Sequence, residues 1–325
     1  MNNIFKIGAA FALLVPAELA AQPPLIDYAP SATYFFAQKD TVDLYMDVYD
    51  PAPGSELTFQ GKAKPTILWF FGGGFIMGER SAPNYLCWFK QLNDNGYRVI
   101  TADYRISLKG ERLRFDPLHI AKTARKFVNA SCEVGVQDCF SAVRYIIDNA
   151  DALGVDPSNI VVAGSSAGAL IAVTAEWEIA NHMPNAAVLP EGFNFAGVMS
   201  FAGGIMTDKG APKWASEPCP QLFFHGTDDT LVNYKKVQVL KLGIFGASAL
   251  VDRLKKQGYS YNIVRLEERG HDVADSMYFL WQWEKTWLEQ NVILGIRRIT
   301  DETVNDPSMP GWWNEPLDVL EKASQ

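Results

Sequence analysis

Asn159-Ile160-Val161-Val162-Ala163-Gly164-Ser165-Ser166-Ala167-Gly168-Ala169-Leu170-Ile171-Ala172 is the stretch that decides the fold. Residues 159–164 are an apolar run of strand length, and residues 167–179 read as a helix. Between them stands G-x-S-x-G. Strand, G-x-S-x-G, helix is the context of a nucleophile elbow, a turn so tight that the residues beside the serine must be very small. Strain in such a turn lifts the Ser166 hydroxyl clear of the sheet. The helix N-terminus beneath it favours developing negative charge.

Outward from the elbow the chain alternates between strand and helix periodicity. Strands are expected at 31–36, 42–49, 66–71, 98–104, 159–164, 197–202, 221–225 and 261–266. The later six are continuous apolar runs, as in parallel strands covered on both faces. The first two alternate, as an antiparallel edge pair does. Helices are expected at 83–95, 137–153, 167–179, 247–257 and 273–290, with Gly96 and Gly258 at C-terminal cap positions. This describes one doubly wound α/β domain with a mostly parallel eight-stranded sheet and helices on both faces. The link between Ala202 and Gln221 is too short for a separate large cap domain. The tail after about residue 292 reads as an appendage.

Ligands of such sheets bind outside the carboxyl ends of the strands. A serine nucleophile there needs a base, and the base needs an orienting carboxylate, in the chain order serine, acid, histidine. Of four histidines, His271 in Gly270-His271-Asp272 follows the last expected strand and comes after a good acid candidate. The acid lies in His225-Gly226-Thr227-Asp228-Asp229, where either aspartate follows a strand end. His225 itself reads as a residue closing that turn. Phe71-Gly72-Gly73-Gly74-Phe75 follows a strand directly, and glycines let backbone amides approach a ligand. The amides of Gly73, Gly74 and Ala167 would make an oxyanion hole. Trp214, Met206 and the irregular stretch 232–247 are expected to border the substrate pocket.

These motifs resemble those of the α/β-hydrolase superfamily, in its carboxylesterase and hormone-sensitive-lipase-like group. The resemblance rests on Gly72-Gly73-Gly74-Phe75, Ala102-Asp103-Tyr104-Arg105, the 155–168 run through Ser166, His225-Gly226-Thr227-Asp228-Asp229-Thr230-Leu231-Val232, and Gly270-His271. It implies that Asp229, the fifth residue of the H-G-T-x-D-x-x-V pattern, is the triad acid. It also implies a serine esterase without a metal or organic cofactor. Many members carry histidine before the three glycines; this chain has Phe71, so the bonds anchoring its glycine loop must differ.

The 325-residue chain is 48% hydrophobic and carries a net charge of −8, with no positive face to expect for nucleic acid. Lys6, the apolar stretch 7–16 and the small residues 17–21 form the pattern of a secretory signal peptide. No other stretch is long and apolar enough for a membrane span, so a periplasmic or secreted enzyme with no membrane partner is expected. Cys87, Cys132, Cys139 and Cys219 allow three disulfide pairings or none. The expected substrates are short-acyl, aryl or carbohydrate-linked esters, hydrolysed without help from a lipid interface. A peptidase of the prolyl-oligopeptidase type and a non-catalytic binding relative are the alternatives.

Overall fold

The computed structural model describes residues 23–114, 116, 118–307 and 309. The expected signal peptide and the segment from 310 onward lie outside the described residues.

The chain opens with an antiparallel pair, β1 (Ala32–Lys39) and β2 (Val42–Tyr49), and a two-stranded ribbon, β3 (Thr58–Phe59) with β4 (Lys62–Ala63). Then come β5 (Thr66–Phe70), α1 (Pro83–Asp94), β6 (Arg98–Ala102) and α2 (Ile120–Val128). A π-helical turn, Asn129–Gly135, leads into α3 (Val136–Asp148) and the short α4 (Ala150–Leu153). Next are β7 (Ile160–Ser165), α5 (Ala167–Ala180), β8 (Gly197–Phe201), β9 (Gly204–Thr207) and β10 (Gln221–Gly226). The chain continues through β11 (Lys236–Val239), β12 (Leu242–Gly246), α6 (Ala247–Gln257), β13 (Asn262–Leu266), α7 (Trp281–Trp287) and β14 (Thr300–Val304).

The main sheet has nine strands in the order β1-β2-β6-β5-β7-β8-β10-β13-β14. All pairings from β6 to β14 are parallel, while β2 runs antiparallel to both neighbours. The expected eight strands are all present. The ninth, β14, comes from the segment read as an appendage: residues 300–304 pair in parallel with β13. An edge strand with three of its five residues exposed needs no apolar pattern, which is why Thr-Asp-Glu-Thr-Val gave no strand signal. The single helix expected at 273–290 is instead a 3-10 turn at His271–Asp275, a second at Met277–Phe279, then α7 and a π-helical end.

Burial explains the two central elements. Every residue of β5, β7, β8 and β10 is buried, as a continuous apolar run between two helical layers requires. The α5 helix is buried along nearly its whole length, so it has no polar face. It packs so closely that a methyl group on Gly168 would lie 2.0 Å from the Phe70 carbonyl oxygen, and one on Gly164 2.3 Å from the Gly168 carbonyl carbon. The two motif glycines are therefore demanded by the crossing of β5, β7 and α5. Among the described residues the four cysteines are free and buried. The Cys132 thiol donates to the Met206 carbonyl at 2.9 Å.

A second sheet, β11-β12-β9, is antiparallel and stands beside the carboxyl edge of the main one. It packs against α2, which sequence periodicity did not predict.

Candidate active site

Five adjacent strands, β5, β7, β8, β10 and β13, bring the site together at their carboxyl ends. The glycine loop leaves β5, the elbow leaves β7, Asp229 follows β10 and His271 follows β13. Ser166 has φ +49° and ψ −113°, a region closed to unstrained non-glycine residues. Its N–H donates to the Phe201 carbonyl at 2.9 Å, which pins the turn to β8.

The Ser166 hydroxyl donates to His271 Nε2 at 2.8 Å, and His271 Nδ1–H donates to Asp229 Oδ2 at 2.7 Å. His271 and Asp229 are both buried. The other carboxylate oxygen, Oδ1, accepts the N–H groups of Leu231 and Val232 at 2.9 and 3.0 Å. Burial alone would raise the Asp229 carboxyl. Hydrogen bonds from His225 and His271 overcome that and hold it well below the usual carboxylate range. It therefore stays ionised, and a fixed negative charge at Nδ1 leaves Nε2 free to accept a proton. Asp228, the alternative acid, is exposed and accepts from the Thr227 hydroxyl at 3.2 Å. Asp272, next to His271, pairs with Arg269 instead.

His225 does more than close a turn. Its Nε2 lies 2.8 Å from the Val232 carbonyl and 3.2 Å from Asp229 Oδ2, while Nδ1 accepts the Ala247 N–H at 3.4 Å. Nε2 thus carries the proton, and the Asp229 carboxylate faces two imidazoles. Ser165 was also missed by sequence reasoning. Its hydroxyl donates to the Ala274 carbonyl at 2.6 Å, tying the elbow to the turn that carries His271.

The glycine loop touches the elbow: a methyl on Gly72 would lie 3.3 Å from Ser166 Cβ. Gly73 has φ +124°, which only glycine adopts without strain, and Gly74 has φ +63°, in the left-handed region that favours glycine. Their N–H groups donate to no described residue and border the same cleft as Ser166, Ala167 and His271. Ala167 is the first residue of α5, so its N–H has no intrahelical acceptor. Phe71, standing where histidine was expected, stacks on Tyr104 with ring centroids 4.3 Å apart. Two phenols replace the missing imidazole bonds. Tyr104 donates to the Phe71 carbonyl at 3.0 Å, and Gly72 N–H donates to the Tyr85 oxygen at 3.1 Å.

The cleft over Ser166 has a volume of about 1500 Å³. Its walls are mainly apolar, from Phe75, Phe127, Leu170, Met206, Val232 and Ile244. Met206 borders this cleft. Trp214 does not: it is buried in the core, with its N–H and C=O both bonded to the Gln257 amide at 3.1 and 2.8 Å. An indole so enclosed cannot touch a ligand in this cleft. Among the described residues there is no group of three or more His, Cys, Asp or Glu side chains arranged to hold a metal ion.

Comparison with known proteins agrees with this architecture. The BD-FAE family model matches residues 46–203, which include the glycine loop and the elbow but stop short of Asp229 and His271. An "AB hydrolase superfamily protein" of Schizosaccharomyces pombe is 31% identical over 36% of this chain and 28% of its own length. The para-nitrobenzyl esterase of Bacillus subtilis is 30% identical over 39% of this chain and 23% of its own. The fumonisin B1 esterase of Sphingopyxis macrogoltabida is 29% identical over 39% and 21%. The chain thus spans about a quarter of the length of the curated relatives it matches. The propionate-bound esterase of Thermogutta terrifontis superposes with a TM-score of 0.55 at 22% identity, over 79% of this chain and 93% of that one. The chain is an α/β-hydrolase in fold.

Proposed function

We propose that this α/β-hydrolase is a serine carboxylic-ester hydrolase that works through an acyl-enzyme. The observation that carries the reading is the chain Ser166–His271–Asp229, with contacts of 2.8 and 2.7 Å, beside glycine amides without an acceptor among the described residues. Ser166 Oγ attacks the ester carbonyl while His271 Nε2 takes its proton. The carbonyl oxygen, now negative, is held by the amides of Gly73, Gly74 and Ala167. His271 returns the proton to the leaving alcohol, and the acyl group stays on Ser166. Water, deprotonated by His271, then releases the acid and restores the serine. Loss of one such donor typically costs about 3 kcal/mol of transition-state stabilisation.

The substrate reading is an aryl or short-to-medium acyl ester, including one carried on carbohydrate. The supporting feature is the apolar cleft, which at about 1500 Å³ exceeds the roughly 300–1,000 Å³ of ordinary ligand sites. A cleft of that size has room for acyl groups longer than butyryl. Related esterases bear the names para-nitrobenzyl and fumonisin B1 esterase, and one structural neighbour holds propionate. The sequence of residues 1–21 supports export.

The test is Ser166→Ala together with a phosphonate label. The variant should lose ester hydrolysis while keeping the fold. In the parent protein one phosphonate should appear on Ser166 and none on Ser165, read by peptide mass spectrometry. Near-parental turnover in Ser166→Ala refutes the reading.

A further inference from the structure

Around the mouth of the cleft the protein exposes apolar side chains that a soluble catalyst has no reason to show. Leu118, just before α2, is 90% exposed; Val239 and Leu240, at the tip of the β11–β12 hairpin, are 70% and 91% exposed. Val237, Ile120 and Met77 are exposed as well. Singly, exposed apolar residues need no explanation. Here five of the six border one opening, Leu118 lies two residues from it, and α2 packs against β12. Such clustering marks an interaction surface.

Charge narrows the partner. Residues 108–128 hold six Lys and Arg against two Asp and Glu, and residues 230–246 hold three against none. Together these two segments carry seven more positive than negative charges on a chain whose total is −8; of the acidic residues outside them, Asp208, which pairs with Arg125, and Asp275 border the same cleft. Lys122, Lys236 and Lys241 form no ion pair with any described residue. All three are exposed. Leucine and valine tips among unpaired lysines suit an amphiphilic surface with anionic headgroups: apolar tips enter the acyl boundary while cations meet phosphates. A free polyanion would use the lysines and leave the leucines in water.

We propose that the rim formed by Leu118, α2 and the β11–β12 hairpin docks the protein on an anionic lipid surface, with the cleft opening toward the lipid. The sequence-based expectation of indifference to lipid rested on the short 202–221 connection, which is too short for a cap but supplies β9, the strand on which the β11–β12 hairpin is built. The proposal concerns binding and is independent of the ester chemistry.

It is therefore tested with the full chain carrying Ser166→Ala, by co-sedimentation with vesicles. Vesicles of phosphatidylcholine with one-third phosphatidylglycerol should bind the protein, and pure phosphatidylcholine should bind it much less. High salt should weaken the binding, since exposed charges are screened. Lys122→Gln with Lys236→Gln should weaken it about 25-fold, at roughly fivefold per basic residue near the surface. Leu118→Ser with Leu240→Ser should weaken it at least about tenfold. Unchanged melting temperatures establish that the variants are folded. No binding to anionic vesicles, equal binding to neutral ones, or binding indifferent to both double variants overturns the proposal. So does tight binding to dextran sulfate that the leucine variants leave intact, together with weak binding to vesicles.

Discussion

Replacing Asp229 by asparagine tests the site most sharply, because the surrounding bonds dictate which way the amide must point. Oδ1 accepts two backbone N–H groups, from Leu231 and Val232, so the amide oxygen has to occupy that position. The NH2 group then takes the place of Oδ2, 2.7 Å from His271 Nδ1 and 3.2 Å from His225 Nε2. A donor cannot face the Nδ1–H donor. His271 must move its proton to Nε2, the atom that has to receive the serine proton. Exchanging a triad carboxylate for its amide costs about 10⁴ in kcat, or roughly 5.4 kcal/mol of barrier. KM should hardly move, since Asp229 does not border the substrate. Asp228→Asn should leave kcat within about twofold. The assay is hydrolysis of a p-nitrophenyl ester at pH 7.5, with thermal melts showing that both variants are folded. An Asp229→Asn enzyme with a tenth of parental kcat, or an Asp228→Asn enzyme damaged more than it, would refute the reasoning.

Three further outcomes are expected. Gly168→Ala places a methyl 2.0 Å from the Phe70 carbonyl and should cost about 3 kcal/mol or more, read from the urea midpoint; a cost under about 1 kcal/mol contradicts the packing described. His225→Phe removes a donor from Asp229 and leaves the carboxylate that orients His271 less firmly held. Hydrolysis of a p-nitrophenyl ester should show kcat down by about tenfold with KM unchanged, and His225→Gln should restore most of it. Glu176 on α5 is fully buried, and burial pushes its carboxyl up to about 7 against the opposing bond from the Cys219 N–H. Its folded pKa exceeds the unfolded value, so the unfolded chain gives up its proton first. Stability should fall as pH rises from about 4.5 to 7, by an amount on the order of 3 kcal/mol for this group. Glu176→Gln should flatten the melting-temperature profile over that window by about 5 °C; an unchanged slope excludes Glu176 as its source.

The parts of the site legible in the sequence were those with strict local geometry. Gly164, Ser166 and Gly168 are forced by a crossing with no room for a methyl, so they appear as a fixed pattern. Ser166, Asp229 and His271 each follow a buried apolar strand, and continuous apolar runs are easy to read. Elements with weak local demands were lost. β14 is an exposed edge held by main-chain pairing, which leaves almost no side-chain signature. The hairpin of β11 and β12 is four and five residues a side, too short for alternation to stand out. Trp214 was misplaced because an aromatic in a loop near a strand end suits a pocket wall and a core equally well; only its bonds to Gln257 decide. Ser165 and Tyr85 act through contacts with residues far away in sequence, and no spacing rule announces them; Tyr104 stands in a motif that marked the resemblance, but its bond to the Phe71 carbonyl did not show there.

Two neighbouring hydroxyls on one turn divide two tasks, and this bears on how the protein dies when heated. Ser166 bonds to His271 and borders the cleft, while Ser165 grips the Ala274 carbonyl, three residues past His271. A catalytic loop tethered that close to its imidazole cannot wander while the sheet is whole. Enzymes whose active-site loops loosen early lose activity well below the temperature at which their core melts. In this chain the histidine is moored to the buried end of a central strand. Thermal inactivation should accordingly follow the melting of the whole sheet, and the two curves should coincide until Ser165 is replaced by alanine.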